Sequence, residues 1–320
     1  MARSGRPAVR TGGGATGGGR VRAYLQLLRL PNVFTAMADI VLGFLFTHQR
    51  PEPVAHFALL VLASSLMYLA GMVLNDYFDQ EQDKRERPFR PIPSGRVAAR
   101  TAQRLGFGML AAGVATSGLV AFVAGNARPV LVSVVLAGVI VLYDIGAKRT
   151  PVGPVVMGAC RMFNVLLGMS LASRAWLPVD VVVAGGIGVY IIGLTTFARS
   201  EARMSSRLQL ILGLVIVLAG IGLLASLPRW ERGLEWPPIN IPDRWYVFWG
   251  LIALLIAWRM IKAIRNPRPE LVQSAVRNGI FSLVILDAGA VLAVQDYRAG
   301  LAILALLIPT ITLGRWIYST

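Results

Sequence analysis

The stretch ALLVLASSLMYLAGMVLNDYFDQEQDKRERPFRPIPSG (58–95) decides how this chain is read. Up to Leu74 it is apolar apart from Ser64, Ser65 and Tyr68; then come Asp76, Asp79, Glu81 and Asp83, followed by Lys84, Arg85, Arg87 and Arg90. An apolar run of about 20 residues crosses about 30 Å of hydrocarbon as a helix. Acids and bases crowded at its end belong at a membrane face, where such charges meet water, a partner or a ligand.

The rest of the chain extends the same pattern. Of its 320 residues 55% are hydrophobic and only 15% charged, with a mean hydropathy of +0.62. A soluble domain carries more charge. Apolar runs predict spans at 33–48, 55–78, 101–125, 129–146, 152–173, 179–199, 207–227, 245–264, 272–294 and 298–317. Pro, Gly or charged residues punctuate most joints. The ten-residue alternation of a membrane β-barrel is missing. The expected fold class is therefore all-α: a polytopic membrane helical bundle of nine or ten transmembrane helices. Residues 1–22 read as a disordered, basic, Gly-rich tail with no removable signal peptide, and 23–320 as a single transmembrane domain.

The formal net charge is +16. Basic loops that set topology account for it, so nucleic acid is not an expected partner. Alternate loops carry Lys84 to Arg100, Lys148/Arg149, Arg199/Arg203/Arg207 and Lys262/Arg265/Arg268, whereas the other set carries single cations or cations offset by acids. This places the tail and the acid–base segment on the cytoplasmic side. Arg-, Ala- and Gly-rich usage points to a GC-rich bacterium, and hence to a bacterial cytoplasmic membrane. Trp230, Trp236 and Trp245 are expected to anchor the opposite face. Cys160 is the single cysteine, so no intrachain disulfide forms. His48 and His56 show no metal-like clustering. No obligate protein partner is evident; membrane lipids surround the bundle.

If the second span continues helically, Asp76, Asp79 and Asp83 stand at i, i+3 and i+7 on one face, with Asn75 on the same side. Three carboxylates so placed repel one another unless a cation sits among them. Mg²⁺ takes one or two carboxylates and completes its shell with water and substrate phosphate. Lys84, Arg85, Arg87 and Arg90 either grip phosphate oxygens or only set topology. The prolines of RPFRPIPSG (87–95) forbid a regular helix and predict a stiff cover or loop.

NDYFDQEQD followed by RPFRPIPSG resembles the first Asp-rich motif and trailing loop of the UbiA-type intramembrane prenyltransferases, matching at Asn75, Asp76, Asp79, Asp83, Arg90, Pro91, Ser94 and Gly95. LRLPNVFTAMADIVLG (28–43), with Asn32 and Asp39, resembles the family's first helix. LYDIGAKRTPVGPVVMGACRMFNVLLG (142–168), with Tyr143, Lys148, Arg161 and Asn164, resembles its tyrosine–lysine segment and the following helix.

The resemblance implies helices around a lipid-open central cavity and a Mg²⁺-dependent transfer of a prenyl group from a polyprenyl diphosphate to a small, aromatic acceptor. It implies metal ligation by Asp76, Asp79 and Asp83. Catalytic roles fall to Asp76, Asp79, Tyr143 and Glu201. Substrate contacts fall to Asn32, Asn75, Lys84, Arg90, Lys148, Arg161, Asn164, Arg199 and Arg203. The pattern departs at the second Asp-rich motif, where TTFARSEARMSSR (195–207) offers Glu201 as its only acid. Arg199 or Arg203 is expected to bring positive charge to the distal phosphate in its place, and the span count exceeds the family's usual number. A non-catalytic or transport-assisting lipid carrier, or phosphoribosyl-type transfer to a lipid phosphate, are the alternatives. A secondary transporter would hold its charges at the midplane instead. Asp39 and Asp287 lie within apolar spans and need partners. Arg161 is expected to pair with one of them, and Asp144 to cap or join the head-group site.

Overall fold

Long apolar runs without alternation bury their backbone polar groups most simply as helices. The structure, a computed structural model, describes residues 17–199, 206–230 and 243–318. In chain order the helices are α1 (Gly17–Leu28), α2 (Val33–Thr47), α3 (Val54–Phe78), α4 (Gln80–Glu86), α5 (Ala99–Ala124), α6 (Arg128–Ile145), α7 (Gly153–Gly168), α8 (Pro178–Ala198), α9 (Arg207–Ala225), α10 (Trp245–Arg265), α11 (Pro269–Val291), α12 (Tyr297–Ala305) and α13 (Leu307–Tyr318). Among the described residues, ten helical segments are long and apolar enough to cross a membrane, and each overlaps an expected span. No strand occurs among those residues.

The first span starts earlier than expected. A 3₁₀ turn at Leu30–Asn32 links α1 to α2, with Arg29 at a left-handed φ of 47° before Pro31. The reading of 1–22 as disordered is corrected at its end: Gly17 onward is helical, while 1–16 lie outside the described residues. Ala23 and Leu27 are fully buried with Val73, Ile92, Val97 and Ala102. That packing against α3, α5 and the segment after α4 supplies what an isolated short helix lacks.

Small residues let helices approach closely. Side chains at Gly193 or Gly220 would strike the backbone of the facing helix in the α8–α9 pair. Gly43 and Gly168 do the same where α2 meets α7. Phe44, Phe46, Tyr190 and Trp249 fill the interior, while Phe122, Leu254, Leu255 and Trp258 face outward. Outward apolar side chains on this scale suit a lipid surroundings rather than water. Trp245 corrects the anchoring expectation: it is buried, and its indole N–H donates to the Ala225 carbonyl at 2.9 Å. Trp236 lies outside the described residues. Helices α2, α3, α6, α7, α8 and α11 wall a central cavity, and the end of α3 forms its mouth.

Candidate active site

Helix α3 ends at Phe78, yet its hydrogen bonding carries on: Asp79 N–H donates to Asn75 O at 3.0 Å and Asp83 N–H to Asp79 O at 2.8 Å. Asp76 and Asp83 therefore stay on a common side, and both accept from Arg90 Nη1, at 3.2 and 2.7 Å. Asp76 also accepts from Arg29 Nη2 at 2.9 Å. Asp79 turns toward the link between α6 and α7, accepting from Lys148 Nζ at 2.8 Å and Arg149 Nη2 at 3.0 Å. Asn75 Nδ2 donates to Asp144 Oδ1 at 3.0 Å, and Lys148 Nζ lies 3.9 Å from the same oxygen. Each acid of the motif thus meets at least one base. Residues 87–98 form turns, as the prolines demanded; buried Ile92 and Val97 pin this loop beneath α1 and so aim Arg90 back at the acids.

Among the described residues no three acidic, histidine or cysteine side chains form a ready-made metal cage. The donor set still suits Mg²⁺. Asp76 and Asp83 present oxygens that converge on one cationic nitrogen, and a hard cation asks for only one or two carboxylates when a substrate phosphate completes its shell. Asp76 and Asp83 would hold the ion, with Asp79 across the mouth.

Beneath the mouth lies a cavity of about 370 Å³. Arg29, Asn32, Asn75, Tyr143 and Asp144 line it, together with apolar Met67, Leu136, Ile140, Met157, Leu194 and Ile280. Farther in, Arg161 also borders it, with two of its nitrogens engaged: Nη1 donates to Asp39 Oδ2 at 2.9 Å and Nη2 to Thr35 Oγ1 at 2.8 Å. Asn164 Nδ2 donates to Asp39 Oδ2 and to Ala36 O, both at 2.9 Å, and its Oδ1 accepts from Ser64. Arg161 therefore makes the expected pair with an acid, and it stands 5.3 Å over the Tyr68 ring. Asp287 is fully buried.

The structure brings Asn32, Asn75, Asp76, Asp79, Asp83, Arg90, Tyr143 and Lys148 to the mouth and upper cavity. Lys84 is apart from them: it is half exposed and pairs with Glu81 at 2.6 Å. Arg199, exposed at the end of α8, donates to Pro151 O at 3.3 Å. Glu201 and Arg203 lie outside the described residues. Sequence reasoning passed over Arg29, Arg149 and Tyr68. Arg29 left a legible signal, a cation next to the Leu-Pro that opens an apolar span.

A charged mouth stands above an apolar pocket, in a membrane bundle whose described residues hold ten candidate spans. The chain belongs to the UbiA prenyltransferase family, whose model matches residues 36–277. It is 34% identical over 162 residues to a digeranylgeranylglyceryl phosphate synthase of Methanopyrus kandleri, covering 49% of this chain and 57% of that protein. With the synthase of the same description from Saccharolobus solfataricus it shares 32% identity over 130 residues, 41% of this chain and 44% of that one. The chain thus spans about half the length of the curated relatives it matches. In fold it is similar to a solved structure concerned with digeranylgeranylglyceryl phosphate synthase, with a TM-score of 0.64 at 19% identity, covering 86% of this chain and 98% of the other. A UbiA homolog from Archaeoglobus fulgidus bound to GPP and Mg²⁺ gives a TM-score of 0.59 at 14% identity, covering 88% and 99%.

Proposed function

We propose that this protein moves a prenyl group from a Mg²⁺-bound polyprenyl diphosphate to a hydroxyl of a lipid glycerol phosphate. One observation carries the reading: Arg29, Arg90 and Lys148 interleave with Asp76, Asp79 and Asp83 directly above an apolar cavity. Such a mouth suits an anionic head with divalent cation, and such a cavity suits a hydrocarbon tail. The acceptor follows the descriptions of the archaeal relatives, digeranylgeranylglyceryl phosphate synthases. It replaces the small aromatic acceptor expected from the family at large.

The chain's own residues divide the work. Asp76 and Asp83 would hold the ion in place of their arginine partners, with Asp79 across the mouth beside Lys148. Arg29 and Arg90 would then turn to diphosphate oxygens as charge-assisted donors, joined by Lys148 from the side of Asp79. Mg²⁺, when bound, neutralises charge growing on the departing diphosphate. Arg199 adds positive charge where the second acidic motif is depleted, with Glu201 and Arg203 in the same stretch. Tyr143 and Asn75 flank the allylic carbon. The apolar walls keep water from an electron-poor allylic centre. The mouth opens to the cytoplasm, in keeping with its basic loops.

Purified protein in lipid nanodiscs, given labelled geranylgeranyl diphosphate and geranylgeranylglyceryl phosphate, is expected to form a labelled ether lipid only with Mg²⁺ present. Asp76→Ala should cut turnover at least about 100-fold, and Arg199→Ala should raise the KM for the diphosphate about tenfold. Product with a phenolic acid but none with the glycerol phosphate lipid would restore the aromatic acceptor. Donor binding without diphosphate release under any condition would favour the carrier.

A further inference from the structure

Transfer to a hydroxyl releases a proton, and the cavity wall limits where it can go. Among the described residues lining the cavity, Asp144 is the only carboxylate, and no histidine or lysine joins it. The arginines there, Arg29 and Arg161, stay protonated at any working pH, and Tyr143, Tyr68 and Cys160 ordinarily hold their protons at neutral pH. Asp39 and Asp287 lie behind the wall, fully buried and outside the lining.

Asp144 is also in the right place. It occupies the last turn of α6 and is 2% exposed. Asn75 Nδ2 holds its Oδ1 at 3.0 Å, one residue from Asp76. It therefore marks the level where the head-group site ends and the apolar cavity begins, the level at which the donor's C1 must sit. The charged groups facing it are Lys148, at 3.9 Å, Asp79 and Arg29, with Tyr143 beside it in sequence.

We propose that Asp144 is the general base that takes the proton from the acceptor hydroxyl, an inference that rests on the hydroxyl-acceptor reading above. The bond between C1 and the diphosphate oxygen breaks, and its electron pair leaves with diphosphate. An oxygen lone pair of the acceptor forms the new C1–O bond, and the acceptor's O–H proton passes to the Asp144 carboxylate. The proton then leaves to water at the mouth, where Lys148 bridges Asp144 and Asp79. No oxidant or further reactant enters the balance.

Asp144→Asn tests this with little change of shape, since an amide oxygen still accepts from Asn75. The variant is expected to bind labelled donor as the wild type does while losing about 100-fold or more in kcat, the usual range for a general base. The defect should shrink when the acceptor hydroxyl is made more acidic by fluorination or replaced by a thiol, because a readier nucleophile needs less help. A purely structural role would slow every acceptor alike, so a defect of constant size overturns the proposal. So does an unchanged kcat, which would leave the diphosphate itself as proton acceptor, or a loss confined to donor affinity. Wild-type protein that ignores every hydroxyl acceptor yet prenylates a phenolic ring carbon would sink the acceptor reading and this proposal together. Product from the wild type with Asp144→Asn equally fast would sink the proposal alone.

Discussion

Two carboxyl groups, Asp39 and Asp287, face a single guanidinium inside the membrane span. Asp39 Oδ2 takes Arg161 and Asn164, whereas Asp39 Oδ1 and both oxygens of Asp287 meet no donor group among the described residues apart from each other's carboxyl. The two acids lie against each other across α2 and α11. A buried polar group left unpaired costs about 1–3 kcal/mol. Asp287→Asn gives Asp39 an amide donor and removes one buried carboxyl, so its thermal midpoint in detergent is expected to equal or exceed that of the wild type. Asp39→Ala removes the one carboxylate that pairs directly with Arg161 among the described residues and should cost about 3–5 kcal/mol. Equal melting of the two variants, both below wild type, would contradict this account. The sequence showed both acids and Arg161, 126 positions before Asp287 by their numbers, but which acid the guanidinium takes depends on which helix faces which.

At the scale of elements, the crossing of α2 and α7 holds Asp39 against Arg161 and Asn164. Gly43 makes the crossing possible: a Cβ there would meet Val165 O, Gly168 Cα and Met169 N, all backbone atoms that cannot swing aside. Gly43→Ala is therefore expected to destabilise by about 1–3 kcal/mol, as overpacked sites do, and to lower transferase activity by shifting Asn164 and Arg161 in the cavity wall. Calorimetry and turnover on one preparation check both effects; a variant that melts and works like the wild type would show that the crossing relaxes freely. Gly95 illustrates the other use of glycine. Its φ of +73° closes the turn that returns the loop to α5, and a Cβ there would find open space but a strained backbone.

For the molecule as a whole, the cavity's walls come from distant parts of the chain, with Met67 on α3, Leu136 on α6, Leu194 on α8 and Ile280 on α11. On the proposed function its about 370 Å³ takes part of the prenyl tail and the acceptor. Ile280→Trp narrows it from the side of α11. The expected outcome is a fall of about tenfold or more in kcat/KM for a twenty-carbon donor relative to a ten-carbon one, in line with hydrophobic-pocket discrimination. Competition between the two labelled donors measures the ratio, and an unaltered ratio would place the tail elsewhere.

The amino-acid sequence alone determined the ten apolar spans, because crossing about 30 Å of hydrocarbon demands length and composition that no packing detail can hide. It also determined the acid-rich motif and the turn after it, because helical spacing and prolines act locally. What only the tertiary structure decided was the pairing: Arg29 on Asp76, Lys148 and Arg149 on Asp79, Arg90 bridging Asp76 and Asp83, and Lys84 turned away to Glu81. Charges lying 47 or 69 positions apart meet only once helices have packed, and the depth of each helix in the bundle sets which cation reaches which acid. The same holds for Asp144. Its neighbours in sequence are apolar or aromatic, and its place as the sole carboxylate of the cavity wall, among the described residues, comes from α6 lying beside α3.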